Sequence, residues 1–392
     1  MKIVFVSNFM NHYQITISYE LCRLCDGQYW FVETNMLPES FKKNSGFVDF
    51  ERNYIIRAWH SKEEKNKAIQ LAFDADVVIG GDGKGNIPYI KKRLLNNKLT
   101  FDCSERILKK GLYNMFSPAN IINQFYYHFL FYNKPFYKLC MSGYAANDMY
   151  LMHSFKNRCY KYGYFPKIDK VSIDENLRSK TERQTIRIIW CARFIKWKHP
   201  ELVVDLAEKL KQNGYSFEIN MIGKGDLWDK IEKMVKSKGL TECVHLLGAF
   251  SNKKVLEMMR DHDIFLFTSD RNEGWGVVLN EAMGQGCCPV SSHLIGATPF
   301  LLEHKENGMI FSSGNIDSLF NCVKYLIDNE SERIRMSRSA YTTISRMWSP
   351  EIAAGRLYQF VIRVLNGGNT PFSNGPLSKA MPIHIANYGH DV

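Results

Sequence analysis

The sequence predicts an α/β protein with two doubly wound domains, each a parallel sheet covered by helices. Its 392 residues, of which 45% are hydrophobic, can fill two cores of ordinary size. Both halves begin with a short apolar segment that a helical pattern follows, at residues 3–6 and 186–190. In the second half, strand-like and helix-like segments then alternate, and this alternation is typical of βαβ units.

The second half has the clearest elements. After the strand at residues 186–190, Pro200 opens a helix whose apolar residues fall on one face and which ends near Gly214. A strand over residues 217–221 then leads into Gly223-Lys224-Gly225. The remaining segments continue the series, with helices predicted at 227–238 and 255–260 and strands at 244–247, 264–268 and 288–291.

The first half opens in the same way. A strand at residues 3–6 precedes an amphipathic helix from Gln14, and further strands are predicted at 54–56 and 77–79. We therefore expect two domains that face each other across a cleft.

The domain boundaries follow from changes in composition. Residues 166–185 are rich in charge and are predicted to be a linker, and Pro350 is typical of a helix start. Residues after Gly367 show little periodicity and are predicted to be a flexible tail. The predicted parts are a first domain at 1–165, the linker at 166–185, a second domain at 186–347, a C-terminal helix at 348–366 and the tail at 367–392.

Composition excludes several classes of protein. The N-terminal residues lack the apolar core of a secretory signal, and no segment reaches the ~18 apolar residues of a membrane span, so a cytoplasmic location is expected. The ten cysteines should then be reduced. Cys22 and Cys25 have a C-x-x-C spacing, but they fall inside a predicted helix, and no histidine pair completes a zinc site. Asp74-Ala75-Asp76 is predicted to be a turn that enters a strand.

Most of the net charge of +11 belongs to the first half, because residues 1–180 carry 26 Lys and Arg but 17 Asp and Glu. Residues 84–137 combine a cluster of cations with the aromatic residues that follow it. Three interpretations are open: a solvated helix face, a nucleic-acid surface, and a face that rests on anionic lipid. Nucleic acid is disfavoured because no known nucleic-acid-binding signature is present, and a membrane surface is the better functional hypothesis.

The most informative motif is Glu273-Gly274-Trp275-Gly276-Val277-Val278-Leu279-Asn280-Glu281. Glu273 falls on a loop at the carboxyl end of a predicted strand, and Glu281 falls about one turn into the helix that Gly276 opens. Free N–H groups at a helix start suit a phosphate, and carboxylates accept hydrogen bonds from sugar or ribose hydroxyls. Two glutamates at this spacing more often mark a surface helix, but the surrounding strand, loop, helix and strand favour a nucleotide-sugar site.

A second candidate loop follows the strand at residues 186–190. It carries Arg193 and Lys198, which can neutralise a diphosphate leaving group if they are not simply surface charges. The Gly223 loop has Trp228 where a dinucleotide fingerprint needs its third glycine, and no P-loop motif is present. A dehydrogenase and a P-loop NTPase are therefore disfavoured.

With these residues in view, the second half resembles the retaining glycosyltransferases of family 4, also called glycosyl transferases group 1, over about residues 186–365. The first half looks like a bacterial polysaccharide-type subgroup of the same family. The resemblance implies the GT-B fold, in which two Rossmann-like domains bind acceptor and donor and a C-terminal helix crosses back to the first domain. The motifs that carry it are Arg193-x4-Lys198, Gly223-Lys224-Gly225, Leu247-Gly248, the Glu273 to Glu281 run, Gly296-Ala297-Thr298-Pro299-Phe300, Glu306-Asn307-Gly308, Ser7-Asn8-Phe9, Asn11-His12-x-Gln14, Lys98-Leu99-Thr100-Phe101, Ser104-Glu105-Arg106 and Gly163-Tyr164-Phe165-Pro166.

The resemblance also implies roles for matched positions. Arg193 and Lys198 would hold the donor diphosphate, Glu273 would contact the donor sugar, and Glu281 would accept hydrogen bonds from the ribose. The other donor-binding positions it implies are Gly223, Lys224, Leu247, Gly274, Gly276, Val277 and Val278. Two departures bear on the shape of the pocket: His199 replaces a common glycine, and Thr298-Pro299-Phe300 replaces a usual Pro-Glu.

On the acceptor side, the turn after the first strand carries Asn11 and His12 and should open on the cleft. His12 is the candidate for contacting acceptor or donor sugar, and capping of its own helix is the alternative. Glu105 is a candidate for activating the acceptor hydroxyl.

The predicted activity is retaining transfer of a sugar from a nucleotide-diphosphate sugar, with UDP favoured and GDP possible, to a glycan or lipid-linked oligosaccharide in bacterial surface polysaccharide synthesis. Front-face attack is favoured over a covalent intermediate. No cofactor or metal is expected, because Arg193 and Lys198 can do the charge work of a divalent ion. Residues 84–137 are the expected contact with the inner face of the membrane. Two alternatives stay open: a non-catalytic nucleotide-sugar-binding subunit, and a GT-B epimerase acting on a sugar nucleotide.

Overall fold

The computed structural model describes residues 1–38, 50–81, 83–169 and 172–388. These residues form two units. Unit 1 comprises Met1–Lys167 and Met347–His384, and unit 2 comprises Ile168–Arg346 with residues 385–388. No described helix has the length and apolar character that crossing a bilayer requires.

The sheet of unit 1 is parallel in all its described pairings. Its strands are β1 Ile3–Ser7, β2 Tyr29–Glu33, β3 Ile55–Arg57, β4 Val77–Gly80, β5 Thr100–Ser104, β6 Phe136–Cys140 and β7 Cys159–Lys161. They lie in the order β3-β2-β1-β4-β5-β6-β7. The order reverses between β1 and β4, and sheets of this kind bind ligands outside the carboxyl ends at such a switch point.

Helices connect these strands, and a late one returns to them. Ser349 caps the helix Pro350–Leu365 by accepting a hydrogen bond from the amide of Ile352, and this helix packs against Gln14–Leu24. Its Phe360 ring lies 4.5 Å from the ring of Tyr160 between centroids. The other α-helices of unit 1 are Lys62–Asp74, Ile87–Leu95, Pro118–Gln124 and Ala145–Leu151, with 3₁₀ turns at Gly83–Asn86 and Leu112–Phe116 and a π-helical segment at Phe125–Leu130.

Unit 2 has a second parallel sheet. Its strands are β8 Ile186–Cys191, β9 Phe217–Ile222, β10 Val244–Gly248, β11 Ile264–Phe267, β12 Cys288–Ser292 and β13 Met309–Phe311. They lie in the order β10-β9-β8-β11-β12-β13, which reverses between β8 and β11. Strand β11 is buried along its whole length, which explains its uninterrupted apolar sequence.

The helices of unit 2 cover this sheet with apolar faces. Leu206 and Leu210 on one helix, for example, join Ile219, Leu266 and Val290 of the strands in a single buried cluster. The helices are Ile173–Thr181, Pro200–Gln212, Trp228–Ser237, Asn252–Asp261, Val278–Gly284, Thr298–Leu301, Ile316–Asp328, Glu330–Arg346 and Ile385–Tyr388. The expected fold class, two Rossmann-like domains with parallel sheets, is confirmed.

Two segments are more ordered than the sequence suggests. The predicted linker, 166–185, contains the helix Ile173–Thr181, whose Lys180 is buried and donates a hydrogen bond to the carbonyl of Gly286 at 2.7 Å. Part of the predicted flexible tail, 367–392, is tied to unit 1, because Leu377 is buried and its amide donates to the carbonyl of Lys161 at 2.8 Å. The polar local sequence does not predict the order of either segment, because each is held by a strand or loop that is distant in the sequence.

Candidate active site

Two loops leave the carboxyl edge of the unit 2 sheet at its switch point. One follows β8 and the other follows β11, and hydrogen bonds join them. Thr268 Oγ1 donates to the carbonyl of Lys198 at 2.6 Å and accepts from Trp190 Nε1 at 2.9 Å. The amide of Asp270 donates to the carbonyl of Trp197 at 3.0 Å. The loop that carries Lys198 is therefore fixed against the loop that carries Glu273.

Lys198 and Glu273 form an ion pair across these loops, between Nζ and Oε2. Their side chains are only 11% and 12% exposed. The ammonium group also lies 4.2 Å from the centre of the Trp197 ring, an arrangement that further stabilises a cation. The two motifs, which were predicted to share one site, therefore meet at the switch point in a charge-balanced pair that was not predicted.

Arg193 is an exposed cation at the same edge. Its guanidinium lies 6.0 Å from the centre of the Trp197 ring, and it has no carboxylate partner in the described parts of the chain. Its loop is held by the glycine loop after β9, because Phe194 N donates to the carbonyl of Lys224 at 3.0 Å. At Gly223, φ is 132° and an added Cβ would lie 1.9 Å from the carbonyl oxygen of Ala192, so only glycine fits. The glycine loop after β9 therefore helps to hold the Arg193 guanidinium, which has no carboxylate partner among the described residues, at the edge of the site.

Gly276 makes the turn from Glu273 into the helix Val278–Gly284. Its φ is 90°, and an added Cβ would lie 2.5 Å from the Phe267 ring. Trp275, which is buried, donates from Nε1 to Oδ1 of Asn280 at 2.9 Å and so ties the turn to the helix. The amides of Gly276, Val277 and Val278 have no acceptor within the described chain, and Gly274 before them is buried. These N–H groups are free to bind an oxygen of a ligand.

Glu281 lies on the first turn of that helix and is partly exposed. Burial raises the pKa of Glu281 to about 7, and a hydrogen bond from Asn252 Nδ2 at 2.8 Å acts in the opposite direction. Burial and then the charge of Glu281 raise the pKa of Cys191 to about 12, while Lys198 lowers it. Glu281 therefore lies within electrostatic range of the end of β8.

The loops after β9 and β10 complete the edge. Lys224 is exposed, with Nζ 3.8 Å from the centre of the Trp228 ring. Leu247 is 37% exposed at the end of β10. Gly223 N donates to the carbonyl of Gly248 at 2.8 Å, so these two loops are also joined.

The two positions that depart from the pattern of the resembling family, His199 and Thr298, make contacts within unit 2. His199 has φ 50° and begins the helix Pro200–Gln212; its Nδ1 lies 2.8 Å from Glu201 Oε1 and its Nε2 3.4 Å from Asp270 Oδ2. The hydrogen bond with Glu201 raises the pKa of His199. Thr298 is buried, with Oγ1 2.8 Å from Ser291 Oγ, so it holds a loop and strand together.

The structure places the acceptor-side candidates in unit 1, next to β1 and β5. Asn11 Oδ1 accepts hydrogen bonds from the amides of Tyr13 and Gln14, both at 3.0 Å, so Asn11 caps the helix Gln14–Leu24. The carboxylate of Glu105 forms an ion pair with Lys109 and raises the pKa of the Tyr164 hydroxyl, which burial raises more strongly.

Burial lowers the pKa of His12 to about 4, and its ring lies 3.7 Å from that of Tyr13 between centroids. His12 is therefore uncharged near neutral pH, which suits a hydrogen-bonding contact with a sugar. The helix cap considered for His12 belongs to Asn11.

Sequence reasoning missed Asn252, Glu201 and Asp270, which hold Glu281 and His199. The only signal for Asn252 was its position after Ser251, which caps the helix Asn252–Asp261. Within the described ranges, no three His, Cys, Asp or Glu side chains are grouped so that they could hold a metal ion.

The chain is similar to known proteins in sequence and in fold. Residues 172–343, which include the site of unit 2, match the family model described as Glycosyl transferases group 1.

Two curated relatives each match less than half of the chain. The amylovoran biosynthesis glycosyltransferase AmsK of Erwinia amylovora is 28% identical over 186 residues, which is 46% of this chain and 46% of that protein. The poly(ribitol-phosphate) alpha-N-acetylglucosaminyltransferase of Staphylococcus aureus is 24% identical over 169 residues, 43% of this chain and 34% of its own length. The matches span less than half of either relative.

Solved structures resemble nearly the whole chain. The Alr3699/HepE protein of Anabaena in complex with UDP has a TM-score of 0.68 at 15% identity, over 94% of this chain and all of that one. The lipopolysaccharide outer core galactosyltransferase WaaB has a TM-score of 0.66 at 16% identity, over 92% of this chain and 99% of that one. Both are GT-B proteins, and the fold of this chain is GT-B.

Proposed function

We propose that this protein is a retaining, family 4 glycosyltransferase that takes a sugar from a nucleotide-diphosphate sugar. The observation that carries the proposal is the grouping of Lys198, Glu273, Arg193 and free amides at one edge of unit 2, inside the segment that matches Glycosyl transferases group 1. Cations and free N–H groups together suit a diphosphate, and a carboxylate beside them suits a sugar hydroxyl.

UDP is the proposed nucleotide. The Anabaena protein, which shares this fold, has been crystallised with UDP and with UDP-glucose. In this chain, Glu281 would accept hydrogen bonds from the ribose hydroxyls, and the loops with Lys224 and Leu247 would border the base. Because Glu281 must lose a proton near neutral pH to act as a full acceptor, nucleotide binding should depend on pH.

The proposed reaction is front-face attack. The bond between the anomeric carbon and the diphosphate oxygen breaks, and the acceptor oxygen bonds to the same face of that carbon. The leaving diphosphate takes the proton of the acceptor hydroxyl, and Arg193 and Lys198 stabilise the negative charge that develops on it. In this scheme the protein needs no divalent ion. Glu273 keeps Lys198 in place and contacts the donor sugar.

The proposed acceptor is a glycan or lipid-linked oligosaccharide of a bacterial surface polysaccharide. AmsK is named for amylovoran biosynthesis, and the Staphylococcus aureus relative is named for a poly(ribitol-phosphate) acceptor. We propose that the protein acts in the cytoplasm, at the inner face of the membrane, and that His12 contacts one of the sugars.

Thermal unfolding with UDP, GDP, ADP and NAD tests the donor site. A ligand at ~100 times its dissociation constant adds about 2.7 kcal/mol to stability. We expect UDP to raise the midpoint, Arg193→Ala to abolish the shift, and Arg178→Ala, an exposed arginine of the helix Ile173–Thr181, to keep it. A shift with NAD alone would overturn the proposal, and a UDP shift without sugar transfer to any glycan would favour a binding subunit.

A further inference from the structure

The connection between β5 and β6 in unit 1 presents large apolar side chains to solvent. We call this set of side chains the aromatic face. Phe116, at 77% exposure, and Phe129, at 71%, are the most exposed phenylalanines that the structure describes. The members are Leu112, Tyr113, Phe116, Ile121, Ile122, Phe125, Phe129 and Tyr132. Single exposed apolar residues are common, but eight within 21 residues mark an interaction surface.

The exposure is built into a well-packed segment. Tyr127 and Phe131 of the same segment are buried, and Tyr127 donates from its hydroxyl to Asp102 Oδ1 at 3.1 Å. Asp102 in turn pairs with the buried Lys138 of β6. The segment is thus fixed to the sheet on its inner side, and its outer side is held outward.

Three amide side chains of this segment bond to carbonyls of the same segment. Asn114 donates from Nδ2 to the carbonyl of Ile107 at 2.8 Å, Asn120 to that of Asn114 at 2.7 Å, and Gln124 to that of Met115 at 2.9 Å. These amide nitrogens therefore bond within the segment and leave the exposed surface of the aromatic face to large apolar side chains.

The Lys and Arg residues of this segment are not balanced by carboxylates of the same segment. Residues 106–147 contain no Asp or Glu. Lys110 is exposed, and Lys91, on the neighbouring helix Ile87–Leu95, lies with Nζ 5.8 Å from the centre of the Tyr126 ring. A protein partner would usually meet a rim of mixed charge, whereas an apolar face whose own segment carries cations and no carboxylate complements anionic headgroups.

We propose that the aromatic face docks on a bilayer that contains anionic lipid, with its phenyl and aliphatic groups below the headgroups and Lys91 and Lys110 among the phosphates. This inference deepens the proposed function, since it names the surface and the lipid class of the membrane contact. It needs no turnover of any sugar, so it can fail or succeed independently of the donor site.

Vesicle flotation of the full chain tests the proposal. The probes are phosphatidylcholine vesicles and vesicles with about a third phosphatidylglycerol. We expect flotation with the anionic vesicles. The double change Phe116→Ser and Phe129→Ser should lower the partition coefficient at least about tenfold, because it removes two deeply inserting groups. Tyr19→Ser, at a residue 60% exposed on the helix Gln14–Leu24, is the matched control and should bind as the unchanged protein does.

The charge part has its own comparison. Lys110→Gln should weaken binding to anionic vesicles about fivefold, and Lys233→Gln, an exposed lysine of unit 2, should not. Binding that is equal for the double Phe variant and the control, or no binding to either vesicle, would overturn the proposal. Loss of a dimer in the Phe variant, without loss of flotation, would assign the face to a second copy instead. The UDP-induced thermal shift of each variant shows that it is folded and reports the donor site separately.

Discussion

The ammonium group of Lys198 contacts the carboxylate of Glu273, although 75 positions separate them in the sequence. The contact joins the loops after β8 and β11, where the strand order of unit 2 reverses. Both side chains are nearly buried, so removal of either one would leave the other as a nearly buried charge without its partner. The pair is therefore both a structural tie and the proposed centre of charge stabilisation.

Removal of Lys198 should reduce transfer more than it reduces folding. We expect Lys198→Ala to lower turnover by about 10²- to 10³-fold, because a group aimed at the developing charge of the leaving diphosphate is lost. Lys198→Arg, which keeps the charge but changes its position, should retain more activity. The measurement is UDP release in the presence of acceptor, with the unfolding midpoint recorded alongside. Turnover of Lys198→Ala equal to that of the unchanged protein would refute the assignment.

Replacement of Gly276 should destabilise unit 2 through the turn itself. In Gly276→Ala, the new Cβ would meet the Phe267 ring at 2.5 Å on a backbone with φ 90°, so we expect a loss of about 2 to 4 kcal/mol in the free energy of unfolding. Gly355→Ala is the matched control. Gly355 lies in the helix Pro350–Leu365 with no atom within 4 Å of an added Cβ, and this change should be neutral or stabilise by about 0.5 to 1 kcal/mol. Denaturant unfolding of both variants decides the matter.

Nucleotide affinity should rise with pH through the titration of Glu281. Burial places the pKa of Glu281 at about 7, and ribose hydroxyls donate more strongly to the ionised form. UDP binding measured by calorimetry should therefore strengthen between pH 6 and 8. Glu281→Gln should bind more weakly with a flatter profile, and Glu242→Gln, at an exposed glutamate of unit 2, should keep the original profile.

The titration of Glu281 also predicts the direction in which stability changes with pH in the absence of nucleotide. The pKa of Glu281 is higher in the folded state than its ordinary value of 4.5, so the folded state holds more protons between pH 4.5 and about 7. The contribution of Glu281 to stability therefore falls as pH rises through that window. Glu281→Gln should remove this fall, and a variant with the slope unchanged would contradict the burial of the carboxyl.

The contribution of His12 to stability should change with pH in the opposite direction to that of Glu281. Its folded-state pKa, about 4, lies below its ordinary value of 6.5, so the unfolded state binds the proton first. Its contribution to stability is lost as pH falls from 6.5 toward 4. We expect His12→Gln to unfold less steeply with acid over that range, as followed by the unfolding midpoint, and His60→Gln, at an exposed histidine of unit 1, to behave as the unchanged protein does.

The sequence was enough to predict the two parallel sheets, because the strands of unit 2 are mostly apolar, as β11 is along its whole length, and helices with one apolar face separate them. It also predicted that Arg193, Lys198 and Glu273 share an edge, since each follows a strand next to the switch point. Neither inference needs a specific side-chain contact.

What could not be predicted depends on contacts between distant residues. The partner of Glu281 is Asn252, on a helix that carries no motif, and the role of Asn11 as a helix cap shows only in its two hydrogen bonds. The order of the tail residues rests on the burial of Leu377 beside β7. Polarity and periodicity reflect the local preference of a segment. Contacts such as these form between distant segments and depend on how the whole chain packs.

Unit 1 is built from two separate stretches of chain, and this bears on synthesis. Strands β1 to β7 leave the ribosome early, but residues 347–384 follow only after all of residues 168–346 have been made. Until Pro350–Leu365 has been made, the helix Gln14–Leu24 lacks this packing partner, and the side that contacts it is uncovered. The domain that is translated first is completed last, and a gene fragment that stops before residue 347 encodes unit 1 without the helix that closes it.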